Sequence, residues 1–162
     1  MVNIAGHSPG PTDEELHAFQ RGTRDLIGIA LHSLDAAGGA VSLPQMRVLL
    51  ALGDLGRCPS SRLARTLGLG ASSVTRLADR LVASGHLVRG GDSHHRSVVT
   101  LELSESGREL VERVLAWRHD ELARLLSLID PVLRAQAAEA LQQLHAAVGE
   151  AYADELPGPV PL

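Results

Sequence analysis

The stretch 63-LARTLGLGASSVTRLADRLVASGHLVR-89 decides the fold. Its two halves read as short helices separated by a glycine turn. In SSRLARTLG, Leu63, Ala64 and Leu67 fall on one face, and Gly68 ends the run. In ASSVTRLADRLVASG, Val74, Leu77, Ala78 and Leu81 recur at helical spacing, and Gly85 supplies a left-handed stop. The opposite face carries Ser72, Ser73, Thr75, Arg76 and Arg80. This is a helix–turn–helix pattern whose second helix turns small polar groups and guanidiniums outward.

Working outward, HLVR (86–89) and SVVTLEL (97–103) are rich in β-branched and apolar residues, with Val99, Leu101 and Leu103 alternating. They read as the arms of a hairpin around GGDSHHR (90–96). Upstream, Thr12 with Glu15 forms a capping box before a long helical pattern carried by Leu16, Phe19, Leu26, Ile27, Ala30 and Leu34, which Gly38-Gly39 stops. Ser42 with Gln45 is a second capping box, and Pro44 sits in a first turn, where its missing N–H costs nothing. MRVLLALGDLG is apolar nearly all round, which predicts a central helix. Downstream, Ser104 caps a long helix and Asp130-Pro131 opens another. In that last helix Ala137, Leu141, Leu144, Val148 and Ala151 step by four and three, a coiled-coil-like seam.

The chain has 162 residues, enough for one domain with a real core. Aromatics make up only 2% of it, so that core must be aliphatic. Every one of its 15 basic residues is arginine, a permanently charged fork suited to phosphates and guanine edges. The net charge is −4, but it is unevenly spread. From Arg57 to Thr100 seven arginines face two acids, Asp79 and Asp92, so a basic middle lies between acidic ends. That distribution suits a polyanion-facing module. One cysteine, Cys58, excludes an internal disulfide and a multi-cysteine metal site. The opening residues lack the regions of a secretory leader, and no apolar run approaches the roughly 18 residues of a membrane span. A cytoplasmic protein with no membrane partner is expected.

The order of elements, with LARTLGLGASSVTRLADRLVASGHLVR followed by GGDSHHRSVVTLELSESG, resembles the MarR family of winged-helix transcription regulators over about residues 12–152. The fold implied is mainly α: a winged helix–turn–helix DNA-binding domain with a helical dimerisation region built from the N- and C-terminal helices. The resemblance places dimerisation helices at 12–38 and 104–152 and the winged unit at 42–103. Residues 1–11 and 153–162 read as a flexible arm and tail. In this family the wing arginine enters the minor groove, a role that falls on Arg96, and Asp79 is expected to pair with Arg96 and brace the wing. A small-molecule effector typically enters a cleft between the dimer helices and the winged unit, where His32, Arg47 and Trp117 are candidate lining residues. The sequence departs from the family's pattern at His94 and His95, where acidic and basic residues are common, and at Gly70, where serine often stands.

DNA contact is therefore assigned to Ser72, Ser73, Thr75, Arg76, Arg80, His94, His95 and Arg96. The expected protein is a homodimeric, ligand-responsive repressor acting on double-stranded DNA. Apolar helices at both chain ends exceed what a small winged domain can cover and favour a two-fold pair. Two rival readings are a winged helix that binds protein, and a metal-responsive regulator using the wing histidines. Alternate hairpin side chains diverge, and Asp92 with one histidine supplies only two of the three or four ligands a tight zinc site needs. No P-loop, GxGxxG, HExxH or GxSxG is present, so neither an enzyme nor a cofactor is expected.

Imidazoles titrate near pH 6.5, so beside phosphates the wing histidines add charge as pH falls. The double variant His94→Ala, His95→Ala should lose much of the gain in DNA affinity seen between about pH 8 and pH 6 by fluorescence anisotropy. Its melting temperature and dimer should be unchanged. Loss of bound zinc or markedly earlier melting would establish the metal reading instead.

Overall fold

The Thr12 hydroxyl accepts the Glu15 N–H, and the Glu15 carboxylate accepts the Thr12 N–H at 2.7 Å. This reciprocal cap starts α1 (Asp13–His32). The computed structural model describes residues 10–91 and 99–151. The arm and tail read from the sequence therefore lie, apart from Gly10 and Pro11, outside the described residues, as do Asp92, His94, His95 and Arg96.

α1 stops short of the glycines that the apolar pattern led to. From Ser33 to Ala37 the chain tightens into a 3₁₀ turn, and Gly38 then takes the left-handed conformation at φ 60°. The cause is a clasp that the pattern does not contain. Ser33 is fully buried, its hydroxyl donates to the Ala30 carbonyl at 2.6 Å, and the Arg118 guanidinium donates to the Ser33 Oγ at 2.7 Å.

α2 (Leu43–Leu55) begins at Ser42, whose N–H donates to the Gln45 side-chain oxygen. It buries Met46, Val48, Leu49, Leu50, Ala51 and Leu52, as expected of a central helix. A two-residue strand, β1 (Cys58–Pro59), leads into α3 (Ser60–Leu67), and Gly68 at φ 61° turns the chain toward α4 (Ala71–Ala83). Gly85 at φ 80° makes the next reversal. β2 (Leu87–Gly91) and β3 (Val99–Leu103) pair antiparallel, with Leu87 opposite Leu103 and Gly91 opposite Val99. β1 adds to the far edge of β3, giving the order β1-β3-β2. A strand of two residues, one of them proline, has no period to read, so the sequence alone did not reveal it.

α5 (Glu105–Leu126) starts where the Ser104 hydroxyl accepts the Gly107 N–H at 3.0 Å. α6 (Pro131–Ala151) starts where the Asp130 carboxylate accepts the N–H groups of Val132 and Leu133. The core lies where α2, α3, α4, the sheet and the first half of α5 converge, on Met46, Leu49, Leu52, Leu63, Leu81, Leu101, Leu110 and Val114. α1 buries no residue along its length, and α6 is tied to the end of α5 by the Arg134 guanidinium, which donates to the Leu126 carbonyl at 3.2 Å. No helix among the described residues is long and apolar enough to cross a membrane.

Gly107 lies against the backbone of His86, and a Cβ there would overlap the His86 carbonyl oxygen. Backbone cannot yield as a side-chain end can. Gly107→Ala should therefore destabilise the fold by about 1–3 kcal/mol, read as a lower midpoint of thermal unfolding followed by circular dichroism.

Candidate nucleic-acid interface

α4 is held by its apolar side and presents the other. Val74, Ala78 and Leu81 are buried and Leu77 is half-buried. At roughly 100° per residue, Ser72 and Arg76 occupy the middle of the opposite face. Thr75 and Asp79 fall on one flank, Ser73 and Arg80 on the other. Ser72, Thr75, Arg76, Asp79 and Arg80 are exposed and Ser73 is half-buried. Gly70 offers no side chain to the helix start, and its carbonyl accepts the N–H groups of Ser73 and Val74. The Thr75 hydroxyl donates to the Ala71 carbonyl at 2.9 Å, which leaves its methyl and remaining lone pair outward. Arg76 reaches back to Ser73 Oγ at 3.4 Å, a long and weak contact that leaves most of its donors free.

The wing side of α4 is tied by charge. Asp79 pairs with Arg89 of β2 at 2.5 Å. Arg96, the partner expected from the resemblance, lies outside the described residues. Both side chains of the observed pair are substantially exposed, so the pair is worth at most about 1 kcal/mol of stability. Its consequence is orientation of the hairpin relative to the helix.

The outer end of the paired strands is clasped by Arg57. Its Nε donates to the Thr100 hydroxyl at 3.2 Å and its Nη2 donates to the Gly91 carbonyl at 2.7 Å, one bond to each strand of the hairpin. A Cβ at Gly90 would lie 2.7 Å from that guanidinium, so a glycine there opens the path for Arg57. Arg57 and Arg89 belong to the basic middle of the sequence, where nothing local marks either for this role. A clasp between residues 34 and 43 positions apart leaves no periodic signal.

The three candidate effector residues fall in different surroundings. Arg47 of α2 is half-buried and lines a cavity of about 360 Å³ with Pro44, Leu69, Ser73, Arg76, Leu77 and Arg80. Its Nε is buried without a hydrogen-bond partner among the described residues. His32 is exposed at the end of α1, and Trp117 is half-buried on α5.

The arrangement is that of a winged helix–turn–helix protein, a two-helix reader with a flanking hairpin on a three-stranded sheet. Comparisons with known proteins assign it more narrowly. The model of the MarR family matches residues 41–97. The chain is 32% identical over 111 residues to the uncharacterized HTH-type transcriptional regulator YfiV of Bacillus subtilis, covering 68% of this chain and 69% of that one. It is likewise 32% identical over 114 residues to the HTH-type transcriptional repressor MdtR of Bacillus subtilis, covering 70% and 72% of the two. The crystal structure of Rv1404 from Mycobacterium tuberculosis superposes with a TM-score of 0.80 at 28% identity, covering 89% of this chain and 99% of that one. The chain belongs to the MarR family of transcriptional regulators, which are not enzymes.

Cys58 is 1% exposed, in the edge strand β1, and burial pushes its thiol pKa up, against a smaller opposing effect of Arg62. A thiol that resists ionisation is a poor nucleophile and a poor oxidant sensor. Under native conditions Cys58 should react with Ellman's reagent only as fast as the fold opens, with full reactivity in denaturant. Rapid modification of the native protein would instead point to a redox-sensing role for Cys58.

Proposed function

We propose that this regulator is a homodimeric, ligand-responsive, cytoplasmic repressor that binds a pseudo-palindromic operator. The observation that carries the reading is the outward face of α4. Ser72, Thr75, Arg76 and Arg80 stand exposed there, without ion pairs among the described residues, on a rigid element whose other side is locked in the core. A recognition helix so presented enters the major groove. Ser72, Thr75 and Arg76 then lie over base edges, with Ser73 and Arg80 at the side of the groove. The wing residues His94, His95 and Arg96 are assigned to the adjacent backbone and minor groove, whose negative potential favours an arginine.

Dimerisation is supported by what a single chain leaves uncovered. Between α1 and α6 runs an apolar groove of about 690 Å³ lined by Phe19, Leu26, Ile27, Ala137, Leu141 and Leu144. Phe19 is 52% exposed and Leu141 is 49% exposed. Two-fold pairing of the helices in 12–38 and 104–152 would bury this surface and place two 42–103 units about one DNA turn apart. Repression is supported by the similarity to MdtR. The effector is assigned to the space between those helices and the winged unit, with His32 and Trp117 as its lining candidates.

Binding to a duplex from the region upstream of its own coding sequence tests the reading. A dimer with about six phosphate contacts should lose roughly a thousandfold in affinity between about 50 and 200 mM salt. A flat response would remove the proposal. Arg76→Ala should cost about 1–3 kcal/mol per half-site and relax preference at one base position. Equal weakening on all sequences would make Arg76 a phosphate contact rather than a base reader.

A further inference from the structure

The cavity between α2 and α4 has a composition that folding alone does not explain. Three guanidiniums, those of Arg47, Arg76 and Arg80, border it together with the Ser73 hydroxyl, and no carboxylate lines it. Among the described residues none of the three arginines has an ion pair. Like charges brought together repel, and the buried Arg47 Nε is left without an acceptor. The remaining lining, Pro44, Leu69 and Leu77, is apolar and excludes water from one side, which strengthens any charge-assisted hydrogen bond made there. Pro44 and Ser73 belong to the first turns of α2 and α4, so the positive ends of two helix dipoles border the same space.

Every polar side chain lining the cavity is a guanidinium or a hydroxyl, and an oxyanion is the group that completes it. We propose that Arg47 and Arg80, with the Ser73 hydroxyl, form an oxyanion site that takes a phosphate group of the DNA backbone. The proposal rests on the DNA-binding reading above and gives Arg47 a role outside the effector space. Ser73 and Arg80 sit on the α2 flank of the recognition helix, opposite the flank that Asp79 ties to the wing through Arg89. A phosphate clamped on the α2 flank fixes the rotation of the helix in the groove and leaves Arg76, at the middle of the face, free for a base edge. The same chemistry admits a free phosphate ion, which would compete with DNA at the recognition helix itself.

The test compares wild type with Arg47→Gln and Arg80→Gln in the full chain, with circular dichroism melts for each. The exposed Arg80 keeps the test valid if the half-buried Arg47 position proves needed for folding. Each variant should bind the upstream duplex and a random-sequence duplex about tenfold more weakly. The slope of log affinity against log salt should fall by about one for each protomer engaged. In a second arm, inorganic phosphate replaces chloride at constant ionic strength. Displacement of DNA from wild type but not from the variants shows that the site also takes free phosphate; equal displacement restricts it to the backbone phosphate. Folded variants that match wild type in affinity and slope overturn the site while leaving the DNA reading intact. A wild type that binds no duplex overturns the DNA reading, and with it the backbone phosphate.

Discussion

The end of the recognition helix, the root of the wing and the start of α5 are all fastened at one place, the Gly85–His86 peptide. The Gly85 carbonyl accepts the hydroxyls of Ser104 and Ser106 at 2.6 and 2.8 Å, and the His86 carbonyl accepts the Ser104 N–H at 3.1 Å. Gly107 packs directly on the His86 backbone. A left-handed glycine lets the chain leave α4 at the angle that makes these bonds, and any side chain at 107 would pry them apart. Because α5 grows from this junction, its tilt and the position of the hairpin are mechanically linked without an intervening loop. If the protein responds to a ligand as proposed, a change among its long helices has a short physical route to the DNA-facing helix here.

Around that junction the structure separates packing from charge. Stability comes from aliphatic burial, with Leu63, Leu81, Leu101 and Leu110 fully inside and no aromatic side chain in the core among the described residues. The charged groups contribute orientation. Asp79 and Arg89 are too exposed to add much free energy, yet they set one flank of the recognition helix against the hairpin. Arg57 bridges the hairpin's two strands, from the Thr100 hydroxyl of one to the Gly91 carbonyl of the other. Guanidiniums suit these tasks because a planar fork meets two acceptors at once.

Much of the fold was legible because its signals are local. The capping boxes at Thr12 and Ser42, the Ser104 and Asp130 caps, and the stops at Gly68 and Gly85 each depend on residues within a few positions. The apolar period of α4 likewise told which side would face out, and Ser72, Thr75, Arg76 and Arg80 are exposed there. The 3₁₀ turn after α1 was not legible, since Ser33 is drawn inward by Arg118, 85 positions away. β1 was missed for want of any period, and the Arg89 partner of Asp79 for want of any way to rank arginines by distance.

The sequence by itself determined the helix–turn–helix, the hairpin strands, the order of helices and the outward face of α4, because backbone capping and amphipathic spacing are written within single elements. Only the tertiary structure decided which charges meet. It brought Arg57 to Gly91 and Thr100, Arg118 to Ser33, and Arg47 to the flank of Ser73 and Arg80. Such meetings depend on how helices cross and where a sheet edge falls, and a long arginine side chain can serve many partners equally well until packing has chosen its neighbours.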